Sequence, residues 1–288
     1  DVKKVANGIF STYANELLKA GDRLDVMPPI GKFFTPLKPE QKKNYVGFAA
    51  GSGITPLLSI IKTTLQTETE SSFTLVYGNR NRHSIIFRET LEALKNKYMN
   101  RFRLIHILSR EKTDAPLNAG RIDANKCLVL CDKTINLQQT DEFFLCGPEE
   151  MIFSVKNVLE QQGVASQKIH FELFTTTKQQ QKKISVQEEE MDKGPKSKIS
   201  VKLDGISFDF ELSHKGDAIL DAALKHGADL PYACKGGVCC TCRAKLVEGE
   251  VDMEVNYGLE PDEIKQGFIL TCQSHPTSEK VVVDFDVK

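Results

Sequence analysis

The sequence predicts two folded units of different class. The first is an α/β unit with a parallel sheet; the second is a smaller α+β unit. Three observations predict this. Strand-like and helix-like segments alternate up to about residue 174. The stretch Thr175–Lys198 then reads TTTKQQQKKISVQEEEMDKGPKSK, polar and nearly free of large apolar residues. Beyond it come two alternating strands, a short helix, a cysteine-rich loop and two further strands. At 288 residues the chain has length for about two domains. The expected boundaries are 1–40, 41–174, a linker at 175–197, and 198–288. A flexible linker of about 20 residues has a root-mean-square span of roughly 25 Å.

Each element has its own reason. Tyr45–Ala49, Phe73–Tyr77, Arg103–Leu108 and Glu142–Cys146 read as strands, and His170–Phe174 as a last one. Pro56–Leu65, Arg88–Tyr98 and Glu149–Gln162 read as helices between them. In the third, Met151, Val155, Val158 and Leu159 fall on one face. In the second unit, Ile199–Leu203 and Ile206–Leu212 alternate around Asp204-Gly205, a hairpin signal. Ala218–His226 carries Ile219, Leu220, Ala223 and Leu224 at helical spacing, with Gly227 as its stop. Arg243–Val247 and Val281–Phe285 complete what reads as a β-grasp arrangement.

The composition is that of an ordinary soluble protein, 40% hydrophobic and 27% charged. The most apolar stretch, Tyr45–Ile61, holds three glycines, two serines, a threonine and a proline, which excludes a membrane span there. No basic stripe with interleaved aromatics points to nucleic acid. The absence of a secretory signal at the start and the reduced cysteines fit the cytoplasm. Asp1 is not an initiator methionine, so the natural start is expected upstream. From Ser197 onward the net charge is −6, against +5 for the remainder. That asymmetry reads either as docking to a basic surface or as solubilising charge.

Cys234-Lys235-Gly236-Gly237-Val238-Cys239-Cys240-Thr241-Cys242 is the most informative run. With Cys272 it gives Cys-x4-Cys-x2-Cys, a gap of 29 residues, then Cys. This is the plant-type spacing for a [2Fe–2S] cluster. Iron in a sulfide cluster needs thiolate ligands, and three must turn inward from one tight loop. Gly236 and Gly237 permit that backbone and free amide N–H groups to point at sulfur. Cys240 breaks the spacing and reads as filler. Zinc at Cys239, Cys242, Cys272 and His275 is an alternative, but it leaves Cys234 and the glycine pair without a purpose. A Rieske centre lacks its Cys-x-His half, and disulfides suit short secreted chains.

The first strand leads into Ala50-Gly51-Ser52-Gly53-Ile54-Thr55-Pro56. Two glycines let a phosphate approach the backbone, Thr55 reads as the N-cap and Pro56 as the first helical residue. The helix N-terminus then offers N–H donors to a pyrophosphate. Taken alone, the loop reads equally as a tight strand–helix turn.

With Tyr77-Gly78-Asn79-Arg80, Ser109-Arg110 and Cys146-Gly147-Pro148, residues 43–174 resemble the nucleotide domain of the ferredoxin–NADP reductase superfamily. Residues 198–288 resemble a plant-type ferredoxin domain. The resemblance implies that Gly51, Ser52, Gly53 and Thr55 face the pyrophosphate and ribose of a nicotinamide nucleotide. It implies that Arg80, Ser109 and Arg110 hold an adenosine 2′-phosphate, favouring NADPH over NADH. Cys146, with Gly147 and Pro148, would lie beside the nicotinamide; Thr55 and Cys146 are the candidate catalytic pair. Read without the resemblance, each arginine is an exposed cation and Cys146 a buried apolar residue.

Family members carry an FAD-binding β-barrel before this domain. Gly8-Ile9-Phe10-Ser11 resembles its flavin pyrophosphate loop, and Leu24–Gly31 its closing strand and turn. Residues 1–40 are therefore expected to be the end of such a barrel, with Gly8, Phe10 and Ser11 on FAD. The upstream Arg-x-Tyr-Ser flavin motif is not in these residues, so a fragment or an incomplete flavin site is expected. Glu172 and Phe174 match a terminal pattern packed near the isoalloxazine ring; alternatively Phe174 is core. The domain order resembles the reductase components of multicomponent oxygenases, carried also by VKKVANGIFSTYANELLKAGD and CKGGVCCTCRAKLVEGEV. That likeness implies electron flow from NADPH through FAD and the cluster to an oxygenase or other terminal acceptor. The alternative is a non-catalytic carrier that holds a cluster but takes no hydride.

Overall fold

The computed structural model describes residues 2, 4, 8–26, 31–173 and 194–287. They fall into two compact units, Asp1–Leu173 and Phe174–Lys288. Most of the expected linker, and Phe174 with it, lies outside the described residues.

In the first unit the elements run α1 (Ile9–Glu16), β1 (Asn44–Ala50), α2 (Ile54–Thr67), β2 (Ser72–Asn79) and α3 (Arg88–Lys97). They continue β3 (Phe102–Leu108), α4 (Ala124–Lys133), β4 (Glu142–Cys146), α5 (Glu149–Gln161) and β5 (Ile169–Glu172). The five strands form one sheet in the order β3-β2-β1-β4-β5, every pair parallel. Parallel strands need crossovers, and helices supply them while covering the faces of the sheet. That double cover explains the unbroken apolar run of β1, whose residues Tyr45–Ala49 are all buried. On α2, Ile54, Leu57, Leu58, Ile61 and Leu65 recur every three or four residues and are buried against the sheet. Removing one such leucine side chain costs about 2–5 kcal/mol.

The strand order reverses between β1 and β4. At such a switch point the following loops diverge and leave a crevice beyond the strands' carboxyl ends. The opposite end of the sheet is closed by ion pairs. Glu142, at the start of β4, meets Lys43 Nζ at 2.5 Å and His170 Nε2 at 3.3 Å. Burial pushes its carboxyl up, but the hydrogen bonds from His170, Lys43 and Thr35 overcome this and bring it down to about 2.

Three local expectations are corrected. α2 begins at Ile54 with Gly53 as its N-cap, so Thr55 lies inside the first turn. Pro56 is tolerated there because first-turn N–H groups have no intrahelical partner. Residues 124–133 form a helix that sequence periodicity did not reveal; only Cys127 and Leu130 are buried on it. The stretch expected to end a barrel differs most. Residues Ile9–Glu16 are helical, none of α1 is buried, and Phe10 is 61% exposed. Leu24–Val26 form no strand, and among the described residues no strand precedes Asn44. A strand needs a neighbour to pair with, and among the described residues these have none.

The second unit runs β6 (Lys196–Leu203), β7 (Ile206–Ser213), α6 (Ile219–Lys225), β8 (Arg243–Glu248) and β9 (Val251–Met253). It ends with α7 (Pro261–Lys265), β10 (Phe268–Leu270), β11 (Ser274–Pro276) and β12 (Lys280–Asp284). A mixed sheet in the order β10-β8-β12-β6-β7 carries α6 across it, with β9 and β11 as a separate ribbon. The hairpin turn is Asp204-Gly205, with φ of 52° and 76°. Asp and Gly suit that left-handed pair of angles, which matches the strand twist. Ile219, Leu220 and Ala223 of α6 share one core with Phe210, Leu212, Val281 and Val283. Among the described residues no helix is long and apolar enough to cross a membrane.

Candidate functional site

Two sites emerge, one in each unit. In the first unit every nucleotide-site candidate follows a strand's carboxyl end. The register pairs Ala50 with Gly78, Asn79 with Leu108, and Ala49 with Cys146. Gly51-Ser52-Gly53, Arg80, Ser109-Arg110 and Cys146-Gly147-Pro148 are thereby brought to one rim. Gly53 marks how tightly the rim is built. A Cβ on it would overlap the Cys146 carbonyl and stand 2.7 Å from the Gly147 nitrogen. Only glycine lets the two loops pass backbone against backbone. Gly53 is therefore buried between the loops, while Gly51 and Ser52 remain half-exposed.

The loop is fixed by side chains. The Tyr77 hydroxyl donates to the Gly51 carbonyl at 2.9 Å, and Thr55 Oγ1 donates to the Ser52 carbonyl at 2.7 Å. Burial pushes the Tyr77 hydroxyl up to about 12, so it stays a donor. Sequence reasoning gave Tyr77 no role of its own, because a clamp across adjacent strands has no sequence spacing. Thr55 turns its hydroxyl onto its own loop, which makes it a loop lock in this structure. Ser109 and Arg110 are tied to β2's end by main-chain bonds, Ser109 N–H to Asn79 O at 3.0 Å and Arg110 N–H to Arg80 O at 2.8 Å. Arg80 and Arg110 thus sit side by side, both exposed. A cavity of about 360 Å³ lies at the β3 edge, lined by Arg82, Ile85, Arg88, His106, Leu108 and Asn118 among others; none of its lining residues belongs to the glycine loop.

Cys146 is fully buried and pairs in register with Glu172. Burial, reinforced by the Glu172 charge, holds its thiol far above the usual range. Burial also raises the Glu172 carboxyl. A neutral Cys146 is no nucleophile; it offers a small apolar wall. Gly8 is the N-cap of the exposed α1, and Phe10 and Ser11 lie in its first turn.

In the second unit the four candidate ligands close on one another. Cys239 contacts Cys234, Cys234 contacts Cys272, and Cys272 contacts Cys242 through their sulfurs. The 29-residue gap closes because β8 and β10 are antiparallel, with Leu270 opposite Arg243. Thr271 Oγ1 then donates to the Cys242 carbonyl at 3.0 Å. Hydrogen bonding from Cys234 and burial push Cys239 up to about 12, as crowding among thiols does.

The loop before Cys239 needs left-handed backbone. Lys235 has φ 48° and Gly237 φ 71°. A Cβ on Gly237 would stand 2.6 Å from the Val255 carbonyl oxygen, so no other residue fits. The Gly236 N–H donates to Cys234 Sγ at 3.3 Å. Four converging thiols with an N–H donor at sulfur fit a [2Fe–2S] cluster. The zinc alternative fits less well. His275 Nε2 lies 3.1 Å from Glu254 Oε1, so that ring nitrogen already faces a carboxylate. Gln273, beside Cys272, was missed by sequence reasoning.

Comparison with known proteins decides the family. Residues 48–157 match the oxidoreductase NAD-binding domain, and residues 201–277 match the 2Fe-2S iron-sulfur cluster binding domain. One of the subunits of 1,2-phenylacetyl-CoA epoxidase from Escherichia coli is 46% identical over 100% of this chain and 79% of its own length. The ferredoxin reductase component of 3-ketosteroid-9-alpha-monooxygenase from Rhodococcus rhodochrous is 31% identical over 99% of this chain and 77% of its own.

The chain belongs to the reductase components of oxygenases. It is an electron-transferring oxidoreductase with an NAD-binding domain and a 2Fe–2S domain. An intact type IV self-sufficient cytochrome P450 monooxygenase shares its fold, with TM-score 0.64 over 95% of this chain and 31% of that one, at 22% identity.

Proposed function

We propose that this chain takes electrons from NADPH and delivers them singly, through a cluster held by Cys234, Cys239, Cys242 and Cys272, to an oxygenase component acting on phenylacetyl-CoA. The observation that carries the proposal is the closure of those four sulfurs in a chain 46% identical to the epoxidase's subunit along its whole length. The substrate class rests on that identity, against 31% for the steroid counterpart.

The residues divide the work. The Gly51–Gly53 turn and the first turn of α2 present N–H donors to the dinucleotide's pyrophosphate. Arg80 and Arg110 are adjacent through their main chains; as a paired 2′-phosphate site they would select NADPH over NADH. Buried Cys146 excludes water from the end of the crevice. Lys235 and Gly237 hold the loop that turns the thiols inward, and Thr271 fastens the fourth ligand's segment to the third's. The cluster, when bound, supplies one-electron storage.

A hydride carries two electrons and the cluster takes one, so a group between them must do the conversion. FAD is the proposed group, on the family's domain order. Among the described residues, Ile9–Glu16 form a helix that buries none of its side chains. A second reading is a carrier that receives single electrons from another flavoprotein.

The test is reconstitution with the oxygenase component of phenylacetyl-CoA epoxidase. NADPH-dependent oxygenation of phenylacetyl-CoA supports the proposal. Oxygenation only when a separate flavoprotein reductase is added supports the carrier reading.

A further inference from the structure

Gln273 is 2% exposed, and its side-chain amide points into the cluster loop rather than into the hydrophobic core. Its Nε2 lies 3.0 Å from the Lys235 carbonyl oxygen, 2.8 Å from the Cys272 carbonyl oxygen and 3.7 Å from Cys272 Sγ. All three acceptors belong to the candidate ligands' segments. The nitrogen carries two hydrogens. One bridges to Lys235 across the loop, and the other is shared between the carbonyl and sulfur of Cys272.

A buried amide must be satisfied, whereas a methionine of similar length would fill the same space without that demand. The amide's donors are therefore what distinguishes this residue. Lys235 also holds a left-handed φ of 48°, which a side chain disfavours. A bond on its carbonyl keeps it there. The side chain passes close beneath the loop, since Gln273 Cγ lies 3.0 Å from where a Gly237 Cβ would stand. The main chain of Gln273 is pinned too, by Gln273 N–H to Leu270 O at 2.9 Å and Glu254 N–H to Gln273 O at 3.0 Å.

We propose that Gln273 is a positioning residue for the cluster: its amide clasps the Lys235 turn to the Cys272 segment and directs an N–H toward Cys272 sulfur, raising the reduction potential. Adding one electron adds one negative charge to the cluster. An N–H aimed at sulfur favours the more negative state, and such bonds are among the terms that set cluster potentials. The proposal rests on the four-cysteine ligand set above.

The experiment compares Gln273→Met and Gln273→Asn in the full chain loaded with cluster. Potentials are read by redox titration followed in the visible and by electron paramagnetic resonance. Q273M keeps volume and loses both donors. Q273N keeps an amide but is one methylene short and leaves a void. Q273M is expected to lower the one-electron equilibrium constant for cluster reduction three- to tenfold, about 28–59 mV, with Q273N shifted less. A potential in Q273M within twofold of wild type, with Q273N the more perturbed, would show space-filling only and overturn the proposal. Should Q273M not fold, pulsed resonance on reduced wild-type protein labelled with side-chain 15N-glutamine gives the answer. A coupled amide nitrogen supports the clasp and its absence overturns it. Failure of the wild-type chain to load a cluster sinks the ligand assignment instead.

Discussion

The two units build their sites from different materials. In the α/β unit the candidate site is main chain: a turn at Gly51–Gly53, a helix start, and two strand ends tied by amide bonds. In the smaller unit it is side chain: four thiols drawn together by a strand pair. A main-chain site depends on how closely backbones approach, so its sensitive positions are those where any side chain would intrude. A side-chain site depends on which atoms are present, so its sensitive positions are the ligands themselves. The same residue type makes the contrast sharper. Cys146 is a buried wall whose thiol stays protonated, whereas Cys242 and Cys272 are equally buried yet meet other sulfurs.

The largest expected effect separates ligand from filler. Cys272→Ser should abolish or strongly alter the cluster's visible spectrum, while Cys240→Ser leaves it intact. A normal spectrum in C272S would remove the ligand assignment. Next comes the main-chain site. Gly53→Ala forces a methyl group against the Cys146 carbonyl and should destabilise the first unit by about 3 kcal/mol, the upper end for overpacking. Calorimetry should show that loss with the cluster spectrum unchanged; an unaltered melt would mean that the two loops yield easily.

Arg110→Ala tests one of the two arginine side chains that the main-chain site is proposed to borrow. Losing a charge-assisted hydrogen bond of about 1.5–3 kcal/mol should weaken NADPH roughly 10- to 100-fold and leave NADH nearly unchanged. Equal losses for both nucleotides would refute a 2′-phosphate role. The smallest effect is acid sensitivity. Glu142 is depressed to about 2 from an ordinary 4.5, so its contribution to stability is full above about pH 4.5. It is lost as pH falls through the folded value, toward pH 2. Glu142→Gln should flatten this part of the urea-unfolding profile between pH 4.5 and pH 2; an unchanged slope would place the acid sensitivity elsewhere.

The same division explains what could be read from the sequence. Cysteine spacing reports directly on candidate side-chain ligands, so the 2Fe–2S domain was legible in the chain alone. β1 and β4 were legible because strands covered on both faces are unbroken apolar runs. α4 was not, since only Cys127 and Leu130 of its ten residues are buried and no apolar stripe forms. The Gly53 N-cap was misplaced to Thr55 because a hydroxyl that turns back onto its own loop looks, in sequence, like a cap. Tyr77 and Gln273 act across strands and loops, through distances that no local spacing encodes. The residues around Phe10 resembled a flavin loop, yet a loop is defined by what packs against it, and α1 buries nothing among the described residues.

One chain is proposed to join hydride chemistry to single-electron delivery. The most direct measurement is an anaerobic titration of the cluster-loaded chain with NADPH in the presence of excess FAD, following the cluster's visible absorption. Bleaching that requires both NADPH and FAD is the expected result. A cluster that dithionite reduces but NADPH with FAD does not would contradict the claim and leave the chain a carrier.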